Sequence, residues 1–481
     1  MSSSASLDDV EKNLGRLGHG DEFQSKDDGH VHLTEAEENL RDAFEPPFTA
    51  HDSEFGGEQH GAQLEPSRTA ASSRPSINNI KSVPNGGLTA WLQVLGSFFL
   101  FWNTWGIINA FGTYQTYYES ALLASSSASD ISWIGSLQAT LLMLVGALSG
   151  PIYDAGYVHH LLIIGSVLAV LGQMMLSLCT EYWQVFLAQA VCQGLGAGML
   201  FVPSVSILST YFSTNLATAV GLAASGSSLG GVVYPIVFHK LQPTLGFAWS
   251  TRVVAFIMLA TLAVSNGVMK VRVLPAGRRK FIDLSAFKEP AYVCFVLGMT
   301  LCFAGLYEPF FYVQSEAIEK GIMSSSLAFY LLSIINAPST LGRILPGFVA
   351  DKLGPLNVII PCSMMTGVIC LCLISAASSE GGLLAASIFY GFFCGTLVSM
   401  PPTVLVHLTK NRAVIGTRMG MGFAIISIGL LVGTPISGAI LDSTGSYTNV
   451  WIFAGLLILG GTALMSASRV IHGGWSLAKK V

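Results

Sequence analysis

From Trp91 onward the chain repeats one pattern: an apolar run of about 20 residues, a short polar break, then another run. At 1.5 Å per residue, about 20 apolar residues span a hydrocarbon core of roughly 30 Å. The runs lie near 91–113, 131–150, 160–179, 183–208, 216–238 and 251–269, then 291–313, 326–349, 357–377, 382–405, 418–440 and 448–468. The pattern predicts an all-α membrane protein with twelve transmembrane helices. The longest and most charged break, 271–290, separates six helices (86–270) from six (291–470). Residues 1–85 have no such pattern. They are polar and bury too little apolar surface to offset ordering, so they read as a disordered cytoplasmic tail. Within it, Thr34 and Glu37 form a capping-box pattern at the start of a transient helix, 33–44. Residues 471–481 form a second cytoplasmic tail. The opening MSSSASLDDVEKNLG has no apolar core, so insertion is expected to begin at the first membrane helix.

Composition supports this reading. Apolar residues make up 51% and charged residues 11%, and there are 51 glycines. A soluble domain carries roughly a quarter charged residues, whereas membrane helices use small residues to approach closely. The tail is acidic and the remainder is basic. No strongly basic segment points to nucleic acid, which is set aside as a partner. Lys270 to Pro290 holds six Lys or Arg. Under the positive-inside rule it faces the cytoplasm, with both termini inside; Lys352, Lys410, Arg412 and Arg418 agree. A plasma-membrane location is expected. The eight cysteines lie in apolar runs and read as packing residues. No motif for a metal, a cofactor or a nucleophile triad appears, and an enzyme is not expected. GLGAG at 194–198 sits in a membrane run and reads as helix-packing glycine.

Two internal echoes join the halves. GPIYD (150–154) follows the second run and GFVAD (347–351) follows the eighth. GLAASGSSLGGVVYP (221–235) in the fifth run and MGFAIISIGLLVGTP (421–435) in the eleventh share Ala, Ser and Pro in register. Such repeats fit two six-helix pseudo-symmetric bundles rocking about a midplane site. Gly150 and Gly347 are expected to let helices cross closely. Asp154 and Asp351 are expected to act as latches that hold one conformation, with Arg418 either a partner of Asp351 or a lipid-phosphate contact.

These segments resemble the major facilitator superfamily over 85–470, and within it the fungal members of the monocarboxylate-porter family. NGGLTAW (85–91) is similar to a family signature that has an acid where Asn85 stands. YFSTNLATAVGLAASGSSLGG (211–231) matches a second at Tyr211, Phe212, Ala219, Gly221, Ala223, Gly226 and Ser227; Ser213, Thr214 and Asn215 replace its basic residues. STLGRILPGFVADKLG (339–354) puts Arg343 at the family's helix-8 arginine. The resemblance implies the major facilitator fold and transport of an organic anion with a proton. It puts Asn109 at a lysine position and Ser339 at an aspartate position, so the aspartate-based proton switch does not carry over.

The remaining candidates are polar groups inside apolar runs. Arg343 lies eight residues before Asp351, so about 12 Å deeper, where an unpaired arginine costs at least ~2.5–3.5 kcal/mol. It is either a structural partner of Glu308 or of helix-end carbonyls, or a bidentate anion site facing a wet cavity. Glu308, before the helix-breaking Pro309, either carries a coupling proton or sits as an exposed carboxylate at the outer interface, which its position in the run favours. Asn109 and Asn336 suit inter-helix bonding or substrate contact. Tyr114 and Tyr312 either line the cavity or lie in an aromatic belt, which is favoured. The expected function is a secondary active transporter, monomeric in the lipid bilayer, that moves a small and anionic organic molecule. An efflux carrier for a fungal secondary metabolite and a non-transporting sensor are the alternatives.

Overall fold

The computed structural model describes residues 83–272, 282–409 and 414–475, and the account below concerns these. The acidic tail, the middle of the basic linker and the last six residues lie outside them. Ten helical stretches are long and apolar enough to cross a membrane. Two observations raise the number of passes to twelve. The stretch Leu216–Val268 has 53 residues, about 80 Å of helix, far more than one crossing needs. It is interrupted at Gly246 (φ 74°, ψ 175°). Gly226, before the bend, packs on the Phe98 carbonyl, and Ser265, after it, donates to the Gly96 carbonyl at 2.9 Å. The chain therefore doubles back. The second observation is Leu331–Leu353, 23 residues long, which carries Arg343, Asp351 and Lys352 and so falls short on apolarity alone.

We number the passes α1 (Leu88–Leu122), α2 (Ala128–Asp154), α3 (Val158–Leu176), α4 (Tyr182–Tyr211), α5 (216–245) and α6 (247–268). The second half comprises α7 (Pro290–Glu319), α8 (Leu331–Leu353), α9 (Pro355–Ala376), α10 (Glu380–Leu408), α11 (Ile415–Thr444) and α12 (Tyr447–Gly473). The halves echo each other in their defects. α1 is broken at Thr104 and Ala110, and α7 at Tyr307, just before Pro309. α4 opens into a π-helical turn at Phe186–Gln193, and α10 breaks before Pro401. Each break frees backbone groups from the i→i−4 ladder, which places irregular backbone along the bundle interior rather than against lipid. α1 runs well past the end at 113 expected from hydropathy, because its last turns are polar and pack on α7.

The conformation at Gly246 belongs to a region open essentially to glycine alone. A Cβ there meets nothing within 4 Å, so the cost is purely conformational. Gly246→Ala is expected to cost about 1–3 kcal/mol, read as a lowered melting temperature of the purified protein. An unchanged melting temperature would contradict the hairpin geometry.

The two halves meet along two seams, α2 with α11 and α5 with α8. This is the exchange expected if α2 corresponds to α8 and α5 to α11. The linker re-enters as a 3-10 turn, Leu284–Lys288, beside the first residues of α11. We call the end of the bundle that carries it the linker end.

Candidate functional site

The α5–α8 seam is closed by small residues. A Cβ on Gly221 would stand 2.5 Å from the Arg343 carbonyl oxygen, and one on Gly347 would stand 3.2 Å from the Ala217 carbonyl. That proximity lets side chains cross between halves. Arg343, 1% exposed, donates from Nη1 to the Ser227 hydroxyl at 2.6 Å and to the Ala224 carbonyl at 3.4 Å, and from Nε to Ser339 at 3.4 Å. None of these partners is a carboxylate. Asn109 of α1 donates to the Ser227 carbonyl at 3.5 Å and accepts from the Tyr307 hydroxyl of α7 at 3.5 Å. Ser228 donates to Ser339 at 3.2 Å. A polar chain thus runs Tyr307, Asn109, Ser227, Arg343 through α7, α1, α5 and α8. Asn336, further from the linker end, donates across the same seam to the Gly231 carbonyl at 3.3 Å.

Beside this chain lies an aromatic-lined cavity to which both halves contribute. Phe101, Trp105, Phe201 and Ala224 come from the first half, and Phe303, Pro401, Pro402 and Phe423 from the second. Trp105 stacks on Tyr307 (centroids 6.2 Å, 18°), meets Phe303 edge-on at 6.4 Å and Phe201 at 6.1 Å; Phe201 meets Phe423 at 5.5 Å. The space inside is about 10 Å³, close to what one water needs. The side chains have therefore closed on one another, and a ligand can enter only if the halves part. The Arg343 guanidinium reaches this cavity through its bond to Ala224, one of the lining residues, and is not itself part of the wall.

Both ends are bridged between halves. At the linker end Thr218 donates to Asp351 at 3.0 Å. At the opposite end Ser315 of α7 donates to Glu119 of α1 at 3.0 Å, and the Ser129 backbone N–H at the start of α2 donates to Asp442 of α11 at 3.3 Å. Ser136 and Thr434 share a hydrogen bond across the α2–α11 seam. Measured inter-helix hydrogen bonds in membranes average ~0.6 kcal/mol. A handful of them holds this closed form by a few kcal/mol, small enough for transport to overcome.

Several expectations need correction. Glu308 is not an exposed interfacial carboxylate. It is 0% exposed, because the break at Tyr307 turns it inward beside α11. There Ser437 donates to its Oε1 at 2.9 Å, while Oε2 has no hydrogen-bond partner among the described residues. Nor do Tyr114 and Tyr312 form a belt: both are buried, the first accepting from Gln173 at 2.9 Å and the second donating to the Thr434 carbonyl at 2.9 Å. Gly150 makes no tight crossing, since a Cβ there would meet nothing within 4 Å. The Asp154 side chain lies outside the described residues.

Arg418 clamps the linker. Its Nε pairs with Asp283 at 2.8 Å and its Nη2 with Glu289 at 2.8 Å, while Tyr292 donates to its carbonyl at 2.6 Å. The Ser285 hydroxyl, and then Arg418, hold the Asp283 carboxyl below its ordinary value of 3.8. A depressed carboxyl stabilises where it is ionised, so the clamp is fully present above its ordinary range and is lost as pH falls through the lowered value. Hydrogen exchange of 282–289 is expected to stay flat from about pH 5 to 8 once intrinsic rates are removed. A loosening near neutrality would contradict it.

The two sequence signatures meet in space. Asn85, at φ 53°, accepts from the Ser213 and Thr214 backbone N–H groups at 2.7 and 3.1 Å, and Trp91 packs edge-on against Phe212 at 5.4 Å. The amide oxygen supplies an acceptor where an acid is typical, so this clasp needs no basic partner.

A profile of the Major Facilitator Superfamily matches residues 93–413 and 324–472. An MFS-type transporter, dbaD, of Emericella nidulans is 52% identical over 78% of this chain and 85% of its own length. The chain belongs to the major facilitator superfamily. It is a multi-pass membrane transporter of a small molecule. The Aspyridones efflux protein apdF of the same organism is 38% identical over 82% of this chain and 81% of its own. Among solved structures, a POT family transporter in complex with 5-aminolevulinic acid superposes with a TM-score of 0.63 over 82% of this chain and all of that one, at 13% identity, a likeness of fold alone.

Arg343, Asn109 and Asn336, singled out from the sequence, lie on the α5–α8 seam or on the polar chain beside it, and the Gly-Ser pair at 226–227 reads as a family mark. Sequence reasoning missed Ser227 as the junction of the polar chain, and it missed Trp105, Phe201, Tyr307 and Phe423 altogether. Aromatics in an apolar run give no signal that separates a cavity wall from ordinary packing.

Proposed function

We propose that this transporter exports a small, ring-bearing, largely apolar fungal metabolite with an acidic oxygen, by alternating access across the plasma membrane. The observation that carries this reading is the aromatic cavity shared by both halves. Flat rings fit between stacked and edge-on aromatic faces, which favour ring partners by about 0.5–1.5 kcal/mol beyond area burial. Relatives named as efflux proteins for aspyridones and for agnestins support the direction. The basic linker supports a cytoplasmic linker end.

Arg343 gives the site its charge selectivity. In the closed form its bonds go to neutral oxygens of α5. When the α5–α8 seam opens, these bonds break and the guanidinium becomes free for the substrate's acidic oxygen. Asn109, bonded to the same Ser227, and Asn336 along the seam add neutral contacts. Asp351, released from Thr218, gates the linker end with Gly347, and Asp154 occupies the matching place on α2.

Glu308 carries the coupling proton. Among the described residues no cation pairs with this buried carboxylate, and an ionised group there is costly, so a bound proton suits the closed form. The gradient then drives export by exchanging one proton inward for each substrate outward. In proteoliposomes Glu308→Gln is expected to lose gradient-driven accumulation while retaining substrate exchange at equal concentrations. Gradient-driven accumulation at the wild-type rate would remove the role. Retention of metabolites inside cells lacking the gene tests the export direction, and unchanged secretion would contradict it.

A further inference from the structure

The pseudo-repeat predicts that the two seams close alike at the linker end, and they do not. On α8, Gly347 packs against the Ala217 carbonyl of α5. On α2, the matching Gly150 faces open space, and between α2 and α11 there is a cavity of about 500 Å³. Leu148 of α2, Gly420 and Met421 of α11, and Leu284 and Phe287 of the linker line it with Gly150. A Cβ built on Gly420 would have Ala147 of α2 as its nearest neighbour, at 3.5 Å, so the lining there is made of small residues. Leu148 and Leu284 are 56% and 69% exposed, so apolar surface is left uncovered on two of the three walls.

We propose that this cavity is the loading site at which the exported metabolite, in its neutral apolar form, enters from the membrane leaflet at the linker end. The proposal rests on the export reading above and adds a route to it. Three features fit a small neutral molecule on its way to the aromatic site. The volume lies inside the roughly 300–1,000 Å³ of sites for small organic ligands. The described lining holds no charged side chain, as a neutral guest requires. Two lining residues, Leu144 and Ala424, directly follow Met143 and Phe423, which line the central cavity. A molecule seated here is therefore one helix face from the aromatic site, and parting α2 from α11 at this end joins the two spaces. The linker turn that Arg418 pins through Asp283 and Glu289 sets Leu284 and Phe287 over the groove.

Photolabelling tests the proposal. Protein in phosphatidylcholine vesicles is labelled with an uncharged aryl diazirine or with a photoactivatable phosphatidylcholine, and adducts are mapped by mass spectrometry. The aryl probe is expected to concentrate on 144–151 and 416–425, with the lipid probe spread evenly over lipid-facing helices. Gly150→Leu, whose side chain grows into open space, is expected to cut aryl labelling of the groove at least tenfold. Leu148→Trp provides an independent filling variant should the first fail to fold. Equal labelling of the groove by the lipid probe, or aryl labelling unchanged in both variants, overturns the loading site. If aryl adducts then still appear at Phe201 and Phe423, the export reading survives the loss. If neither the groove nor the central cavity is labelled, both readings fall.

Discussion

Leucine at Gly221 is expected to stop transport and to leave the linker end of the α5–α8 seam open. A Cβ there stands 2.5 Å from the Arg343 carbonyl oxygen, and the obstacle is backbone, which no rotamer change relieves. Overpacking of this kind costs about 1–3 kcal/mol or more, and the whole remainder of a leucine has to be placed as well. The seam is held by hydrogen bonds worth only ~0.6 kcal/mol each, so the clash outweighs them and the closed form is lost. Hydrogen exchange is expected to rise in 217–231 and 339–351 and to stay unchanged at the opposite end, where Glu119 meets Ser315. A variant that exchanges and transports like the wild type would show that this seam does not open and close during the cycle.

The second large effect concerns Trp105. Replacing it with alanine removes the ring that stacks on Tyr307 and meets Phe303 and Phe201. Losing one aromatic wall is expected to weaken substrate binding by about 1.5–3 kcal/mol, or roughly 10–150-fold in apparent affinity. Trp105→Phe retains a ring face and is expected to retain most of the activity. Because a large-to-small change also costs about 3–5 kcal/mol of stability, the melting temperature is measured alongside. A loss of folding without the graded difference between Ala and Phe would make Trp105 a packing residue only.

Hydropathy made the passes legible because the bilayer imposes a length on each helix. It did not show how breaks redirect side chains. Pro309 marked a defect in α7, yet the consequence, Glu308 turned onto Ser437 of α11, depends on a helix more than a hundred residues later. Arg343 was conspicuous because charge is rare at that depth, and its depth followed from its distance to Asp351. Its partners were not legible, since Ser227 and Ala224 look like any small residues in a tightly packed helix. Arg418 went to Asp283 and Glu289 rather than Asp351 because the linker folds back as a 3-10 turn onto α11. Gly150 and Gly347 carry the same motif in the same register, and only the tertiary structure shows that one closes a seam while the other borders a cavity.

The most direct test of the shared aromatic site is uptake of neutral and acidic ring-bearing metabolites into inside-out vesicles under an imposed proton gradient. Wild type, Trp105→Ala and Arg343→Gln are compared at matched protein levels. The site described here predicts that at least one panel member accumulates in wild type, that Trp105→Ala weakens its apparent affinity about 10–150-fold, and that Arg343→Gln suppresses acidic members more than neutral ones. Accumulation that survives Trp105→Ala unchanged, or no accumulation of any member by folded wild type, would contradict it.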